Sequence, residues 1–294
     1  MIKFINKTLF LSAIIIFIFF IKLICYKLIY INEEHNLNFS HNLEFAFFGD
    51  SHIERNIKNS SIFENFGKSA EPLLFSSKKA KIFCDHNLES CVVLSFDNLS
   101  LNHIDKLTYG DETFFVKYIP RMNFQENLKL FLNCPHLWTK SFLSVGFQGT
   151  YHLMDQCGYA PMVSNRFHKA TNQLKNINTN DVLEDINIKG LFNLLDNHKN
   201  RPFYLLRNPL YIKDIPSDFF NINEKVYLSI IKLILDKYKN VTFIDYKDTF
   251  RDRRDFFYDW DHLNKKGADS FHMLLKNQLA IKGKVKFSSP NHGN

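Results

Sequence analysis

From residue 42 onward the chain alternates short apolar runs with longer stretches whose apolar positions recur every three or four residues. Leu43 to Phe48, Ile62 to Phe66, Cys91 to Phe96, Pro202 to Leu206 and Val241 to Ile244 are dense in Phe, Val, Leu and Ile, and this pattern predicts strands. Asn223 to Lys239 carries Val226, Ile230, Leu233 and Ile234 at helical spacing, with Asn223 as the expected cap, and a last helix is expected from Asn264 to Leu279. Strands buried on both faces and alternating with helices predict an α/β three-layer sandwich. Its parallel sheet has about five strands, joined by right-handed crossovers. Residues 107–180 hold Phe, Tyr and His without a clean period and are expected to form a partly helical insertion beside the site.

A different pattern precedes the first strand. Thr8 to Tyr26 reads TLFLSAIIIFIFFIKLICY, long enough to cross a hydrocarbon core, and its one charge, Lys22, lies near an end where it can snorkel. No small-residue cleavage pattern follows, so an uncleaved transmembrane anchor is expected over 8–26. Residues 1–7 would be a cytoplasmic tail and 27–41 a polar linker. Residues 42–282 would then form an extracytoplasmic domain and 283–294 a C-terminal tail.

Charge narrows the partners without choosing one. The net charge of +7 is spread along 294 residues with no basic block, which argues against a nucleic-acid partner and suits a solvated surface or an anionic polymer. Outside the apolar segment stand Cys84, Cys91, Cys134 and Cys157. Pairs such as Cys84 with Cys91 or Cys134 with Cys157 are open, and four cysteines allow three connectivities. None has metal-ligand spacing, so neither a structural zinc nor a cofactor is expected.

Chemistry enters where the first strand stops. Phe47-Phe48-Gly49-Asp50-Ser51-His52-Ile53 breaks an apolar run with a turn, and in a parallel sheet that turn opens on the ligand-binding edge. Near the other end of the domain, Asp259-Trp260-Asp261-His262-Leu263-Asn264 precedes the last helix. A serine hydroxyl becomes a nucleophile when an imidazole takes its proton, and a carboxylate fixes that imidazole. Ser51, His262 and Asp259 supply the three groups. Asp261 is expected to point away from the imidazole, and His52 to be a solvent-facing helix start, with acceptor binding as its alternative role.

Gly-Asp-Ser at 49–51 and Asp-x-x-His-Leu-Asn-x-x-Gly at 259–267 resemble the SGNH hydrolase superfamily, also called the GDSL esterases and lipases. The resemblance spans Leu43 to Leu279 and implies the flavodoxin-like sandwich already predicted. It also implies an oxyanion hole made of the Ser51 backbone N–H, the Asn98 side chain after a central strand, and a loop after the second strand. In that loop the superfamily has Gly-x-Ser-Gly where this chain has Gly67-Lys68-Ser69-Ala70. The loop donor is therefore Ala70, or Gly67 if the register shifts.

The Gly-Asp-Ser-His variant behind one apolar anchor looks like the membrane-anchored branch of that superfamily. Similar proteins include alginate-type O-acetyltransferases and the D-alanyl transfer protein of teichoic acid synthesis. The resemblance implies ping-pong acyl transfer to or from a cell-surface glycan, the acyl group being supplied by a multi-spanning membrane acyltransferase. Three readings stand: an acyltransferase, an esterase or deacylase, and a glycan-binding or assembly protein.

Overall fold

The computed structural model describes residues 39, 42–102, 117–144, 159–163, 179–214 and 217–287, and part of the segment 10–28. The chain divides into two compact units, one formed by 1–39 with 108–154, the other by 40–107 with 155–294.

The second unit is built on a five-stranded, wholly parallel sheet in the order β2-β1-β3-β4-β5. The strands are β1 (Phe45–Phe48), β2 (Phe63–Asn65), β3 (Cys91–Ser95), β4 (Phe203–Arg207) and β5 (Val241–Asp245). All five lie within a residue or two of the runs predicted from apolar density; β1, β3 and β4 are buried at every position and almost wholly apolar, while β2 buries two polar residues, Glu64 and Asn65.

Alternate side chains of each strand face opposite layers. Phe45, Phe47, Val93, Tyr204 and Leu206 pack with Ile53 of α1 (Ser51–Asn56) and with Phe271, Leu275 and Leu279 of the last helix. On the other face Phe48 meets Phe83 of α2 (Leu73–His86) at 5.5 Å between ring centroids. Short α3 (Asn98–Asn102) follows β3. After α6 (Thr179–Glu184), α7 (Ile186–Asn197) is capped by Asp185, whose Oδ1 accepts from Asn187 N at 2.7 Å. Asn187 Oδ1 in turn accepts from Leu74 N at 3.0 Å, tying α7 to the start of α2.

Two helix boundaries differ from expectation. α8 spans Ser217–Lys237, so Asn223 is buried inside the helix and is not its cap. The helix begins six residues earlier, at Ser217. The last helix, α9, runs Lys265–Phe287, because no proline interrupts it before Pro290, and the C-terminal tail starts correspondingly later than 283.

A buried cation ties α8 to the sheet. Arg207, fully buried at the end of β4, donates from Nη1 to Glu224 Oε1 at 2.8 Å and from Nη2 to Glu224 Oε2, and stacks over Tyr227 at 4.6 Å. Burial alone would push the Glu224 carboxyl up, but the Arg207 hydrogen bonds and charge hold it below the usual range.

Within the first unit, α4 (Phe124–Asn133) begins with a reciprocal cap. Asn123 Oδ1 accepts from Glu126 N at 2.9 Å, and Asn123 N donates to Glu126 Oε2 at 2.8 Å. α5 (Pro135–Ser144) follows, with Trp138 stacked on Phe142. Of the predicted insertion, 107–116, 145–158 and 164–178 lie outside the described residues.

No helix among the described residues is long and apolar enough to cross a membrane. The predicted anchor at 8–26 is described only in part; its described residues are helical, and Phe10, Phe17, Ile18 and Phe20 are more than half exposed. Cys84 and Cys91 are both buried and are not joined in a disulfide; nor is Cys134 in one, and Cys157 lies outside the described residues.

Truncating the buried cation tests its role. Arg207→Met is expected to destabilise the second unit by about 3 kcal/mol, the low end for an orphaned buried partner because Lys247 Nζ still reaches Glu224 at 3.1 Å. A urea midpoint equal to the parent chain's would show that the pair does not stabilise the fold.

Candidate active site

The turn after β1 is shaped by its neighbours. Gly49 has φ +152°, and a Cβ there would stand 2.5 Å from Ser95 Cβ and 2.7 Å from Ile53 Cγ1, so both backbone and space require glycine. Asp50 caps α1, its Oδ1 accepting from His52 N at 3.0 Å, and Ser51 is the first residue of the helix. The cap uses the His52 N–H and leaves that of Ser51 aside.

Ser51 Oγ lies 2.8 Å from His262 Nε2, across 211 residues of chain. His262 is carried by a tight loop between Phe257 and Leu263, which pair as an antiparallel bridge, with Tyr258 N donating to His262 O at 2.8 Å. Asp259 both builds the loop and holds the ring. Its Oδ1 accepts from the backbone N–H of His262 at 2.7 Å and of Asp261 at 3.1 Å, while His262 Nδ1 lies 3.0 and 2.9 Å from its two oxygens.

A proton on Nδ1, facing carboxylate, leaves the Nε2 lone pair for the Ser51 hydroxyl. The Asn264 and Gly267 of the same motif have structural work: Asn264 Oδ1 caps α9 by accepting from Gly267 N at 3.1 Å. A Cβ on Gly267 would meet Phe256 O at 2.2 Å.

Two residues stand where the sequence did not put them. Asp261 Oδ1 is 3.1 Å from His262 Nδ1, so this carboxylate faces the imidazole. Asp259 and Asp261 thus reach the same ring nitrogen from one tight, bent loop. His52 is 3% exposed, not solvent-facing. Its Nδ1 lies 2.9 Å from Asp50 Oδ1, and its ring stacks on that of His262 at 5.1 Å and 10°.

These contacts set the charge states. Burial opposes a charge on His262, but Asp261's charge and the hydrogen bond to Asp259 outweigh it and raise the imidazole to about 9. Burial would raise Asp259 too, yet its hydrogen bonds to His262 hold it far below the usual carboxylate range. Burial pushes Asp261 up.

The expected oxyanion donors are placed unequally. Asn98, buried, is the first residue of α3, one strand over from Ser51. The 67–70 loop is fastened to the nucleophile turn: Lys68 N donates to Gly49 O at 2.9 Å, Ser69 N donates to Glu54 Oε2 at 2.8 Å, and the Ser69 hydroxyl also meets that oxygen. Gly67 N–H is spent on Asn65 Oδ1 at 2.9 Å, which corrects the expectation that Gly67 might donate to an oxyanion. Ala70 has φ +60°, the left-handed backbone glycine adopts, at the position where the superfamily pattern has glycine.

Among the described residues, His52, Asp261 and His262 bring metal-ligating atoms within 4.8 Å of one another. They do not fit a metal centre. Both ring nitrogens of His262 are engaged, by Ser51 and by Asp259, which leaves fewer donors than the three protein ligands a catalytic zinc takes.

No family model, no curated protein and no solved structure matches this chain. The site therefore stands on its own geometry. A hydroxyl, an imidazole and a carboxylate are linked in series, with a second carboxylate on the imidazole and backbone and amide groups nearby. Such a set can transfer a proton from the hydroxyl as it attacks an electrophile.

The pH dependence follows with a definite sign. His262 accepts a proton only when neutral, so sulfonylation of Ser51 by a sulfonyl fluoride should rise with pH to a plateau above about 9. Asp261→Asn removes the largest raising charge and should move the inflection down by about one unit. An inflection that does not move would remove Asp261 from the electrostatics of the base.

Proposed function

We propose that the protein is a membrane-anchored serine acyltransferase of the SGNH type. In this reading it passes an acyl group, acetyl in the simplest case, onto a cell-surface polysaccharide. The observation that supports it most is the continuous Ser51–His262–Asp259 contact chain, at the C-terminal edge of a parallel sheet in flavodoxin-like order. The apolar segment at 8–26 would serve as anchor, with the domain outside the cytoplasmic membrane. A multi-spanning acyltransferase would supply the acyl group.

Ser51 Oγ attacks the acyl carbonyl as its proton passes to His262 Nε2, and Asp259 stabilises the imidazolium. The oxyanion draws on the Ser51 N–H, the Asn98 amide and the Ala70 N–H. Collapse breaks the bond to the leaving group, which takes the proton from His262 and leaves an ester on Ser51. A sugar hydroxyl, deprotonated by the again neutral His262, then attacks that ester, and collapse returns the proton to Ser51. With water as acceptor the same steps make an esterase.

Intact-mass analysis of the full chain in detergent, after treatment with a sulfonyl fluoride, tests the nucleophile. One adduct is expected, absent from Ser51→Ala and formed about 10⁴-fold more slowly in Asp259→Asn. Incubation with an acyl ester and an oligosaccharide should then transfer the acyl group to the sugar. Free acid alone would identify an esterase, and no adduct on a folded chain would favour a glycan-binding role.

A further inference from the structure

His52 is not used by the chemistry above, yet it lies buried against it. Four groups face it. Asp50, from the cap of its own helix, lies 2.9 Å from Nδ1. Asp97, fully buried in the connection from β3 to α3, has Oδ2 3.9 Å from the same nitrogen. Asp261, from the loop before α9, has Oδ2 3.9 Å from Nε2. The fourth is the ring of His262, parallel to it at 5.1 Å, with Asp259 on that ring's far nitrogen. His52 Nε2 and Asp97 Oδ2 are both buried without a hydrogen-bond partner.

The charges in this cluster do not balance without a cation. Asp50, Asp97, Asp259 and Asp261 crowd two stacked imidazoles, Asp97 fully buried and the others mostly so, and carboxylates this close are costly without a counter-charge. His262 cannot be the permanent counter-charge if it is to accept the Ser51 proton. His52, with carboxylates off both of its nitrogens, can.

We propose that His52 is a standing imidazolium and a positioning residue. Its stacked charge opposes protonation of His262 and so keeps the base neutral at lower pH, while offsetting Asp50, Asp97 and Asp261. The inference rests on the reading of Ser51 and His262 as the reacting pair. The balance of forces on His52 agrees with it: burial opposes the charge, and Asp50 first, then Asp97 and Asp261, outweigh burial and raise His52 to about 10. Facing cations repel, so His52 lowers the value His262 would otherwise have among these carboxylates.

Two measurements on the full chain in detergent test this. In ¹⁵N-imidazole NMR of the unaltered protein at pH 7.5, both His52 nitrogens should carry protons; assignment uses His52→Gln. A lone-pair nitrogen on His52, or a spectrum that changes only on adding zinc, would overturn the proposal.

In the pH profile of Ser51 sulfonylation, His52→Gln should move the inflection up by about one unit. It should slow the reaction about tenfold at pH 7.5 and leave the high-pH plateau unchanged. His52→Lys, which keeps the charge, should restore the original inflection. A His52→Gln inflection that stays put or moves down would count against the idea. Failure of the unaltered chain to react at any pH would instead sink the proposed function, while the NMR would still read the charge on His52.

Discussion

The candidate site depends on β1 lying between β2 and β3 in an all-parallel sheet. The chain leaves β1 toward α1 on one face and leaves β3 toward α3, which lies with α8 on the other. Right-handed crossovers demand this divergence where strand order reverses, and the two departing turns leave a crevice between them. Ser51 and Asn98 are the first helical residues on its two sides. The register Phe48↔Leu94 keeps those sides level, so the apolar pairing of two buried strands sets the spacing of polar groups beyond their ends.

Into that crevice the fold puts more negative charge than a buried region ordinarily keeps. Asp259 is stabilised by two backbone N–H groups as well as by the His262 ring, so its ionised form is secured by the loop itself. Asp50 is similarly secured by the helix it caps. Asp97 Oδ1 accepts from Ser100 N at 3.0 Å, but its Oδ2 has no hydrogen-bond partner, and the two stacked imidazoles answer to that oxygen and to Asp261. Two histidines with overlapping environments thus acquire different duties, one titrating at the serine and the other compensating charge.

What the sequence revealed, and what it hid, divides along physical lines. Strands such as Cys91–Ser95 were legible because burial on both faces leaves an unbroken apolar run. Ser51, Asp259 and His262 were legible because hydroxyl, imidazole and carboxylate stood at the ends of predicted elements. Asp261 was misjudged because side-chain direction in a loop depends on its hydrogen bonds, here Asp259 Oδ1 accepting from both Asp261 and His262. His52 was misjudged because a helix start is ordinarily wet. The β3–α3 connection and the last loop, both distant in sequence, enclose it. The signal available was local: an Asp directly before the nucleophile and a His directly after it form a second acid–imidazole pair on one turn. The start of α8 was misplaced because Asn223 satisfied the capping rule without being at the helix end.

Ala70 carries the last step. A left-handed backbone costs a non-glycine residue about 1–2 kcal/mol, so Ala70 does not hold φ +60° by its own preference. The conformation is imposed by the anchors on either side of the loop. Lys68 N is bound to Gly49 O, Ser69 to Glu54, and Glu71 N closes the turn on Lys68 O at 3.0 Å. Each such bond contributes about 1 kcal/mol net, enough together to offset the strain. The loop shape is therefore specified by its contacts with α1 and the nucleophile turn. An alanine where the resemblance calls for glycine keeps both the backbone path and its N–H, and that departure alone is no argument against an oxyanion donor at this position.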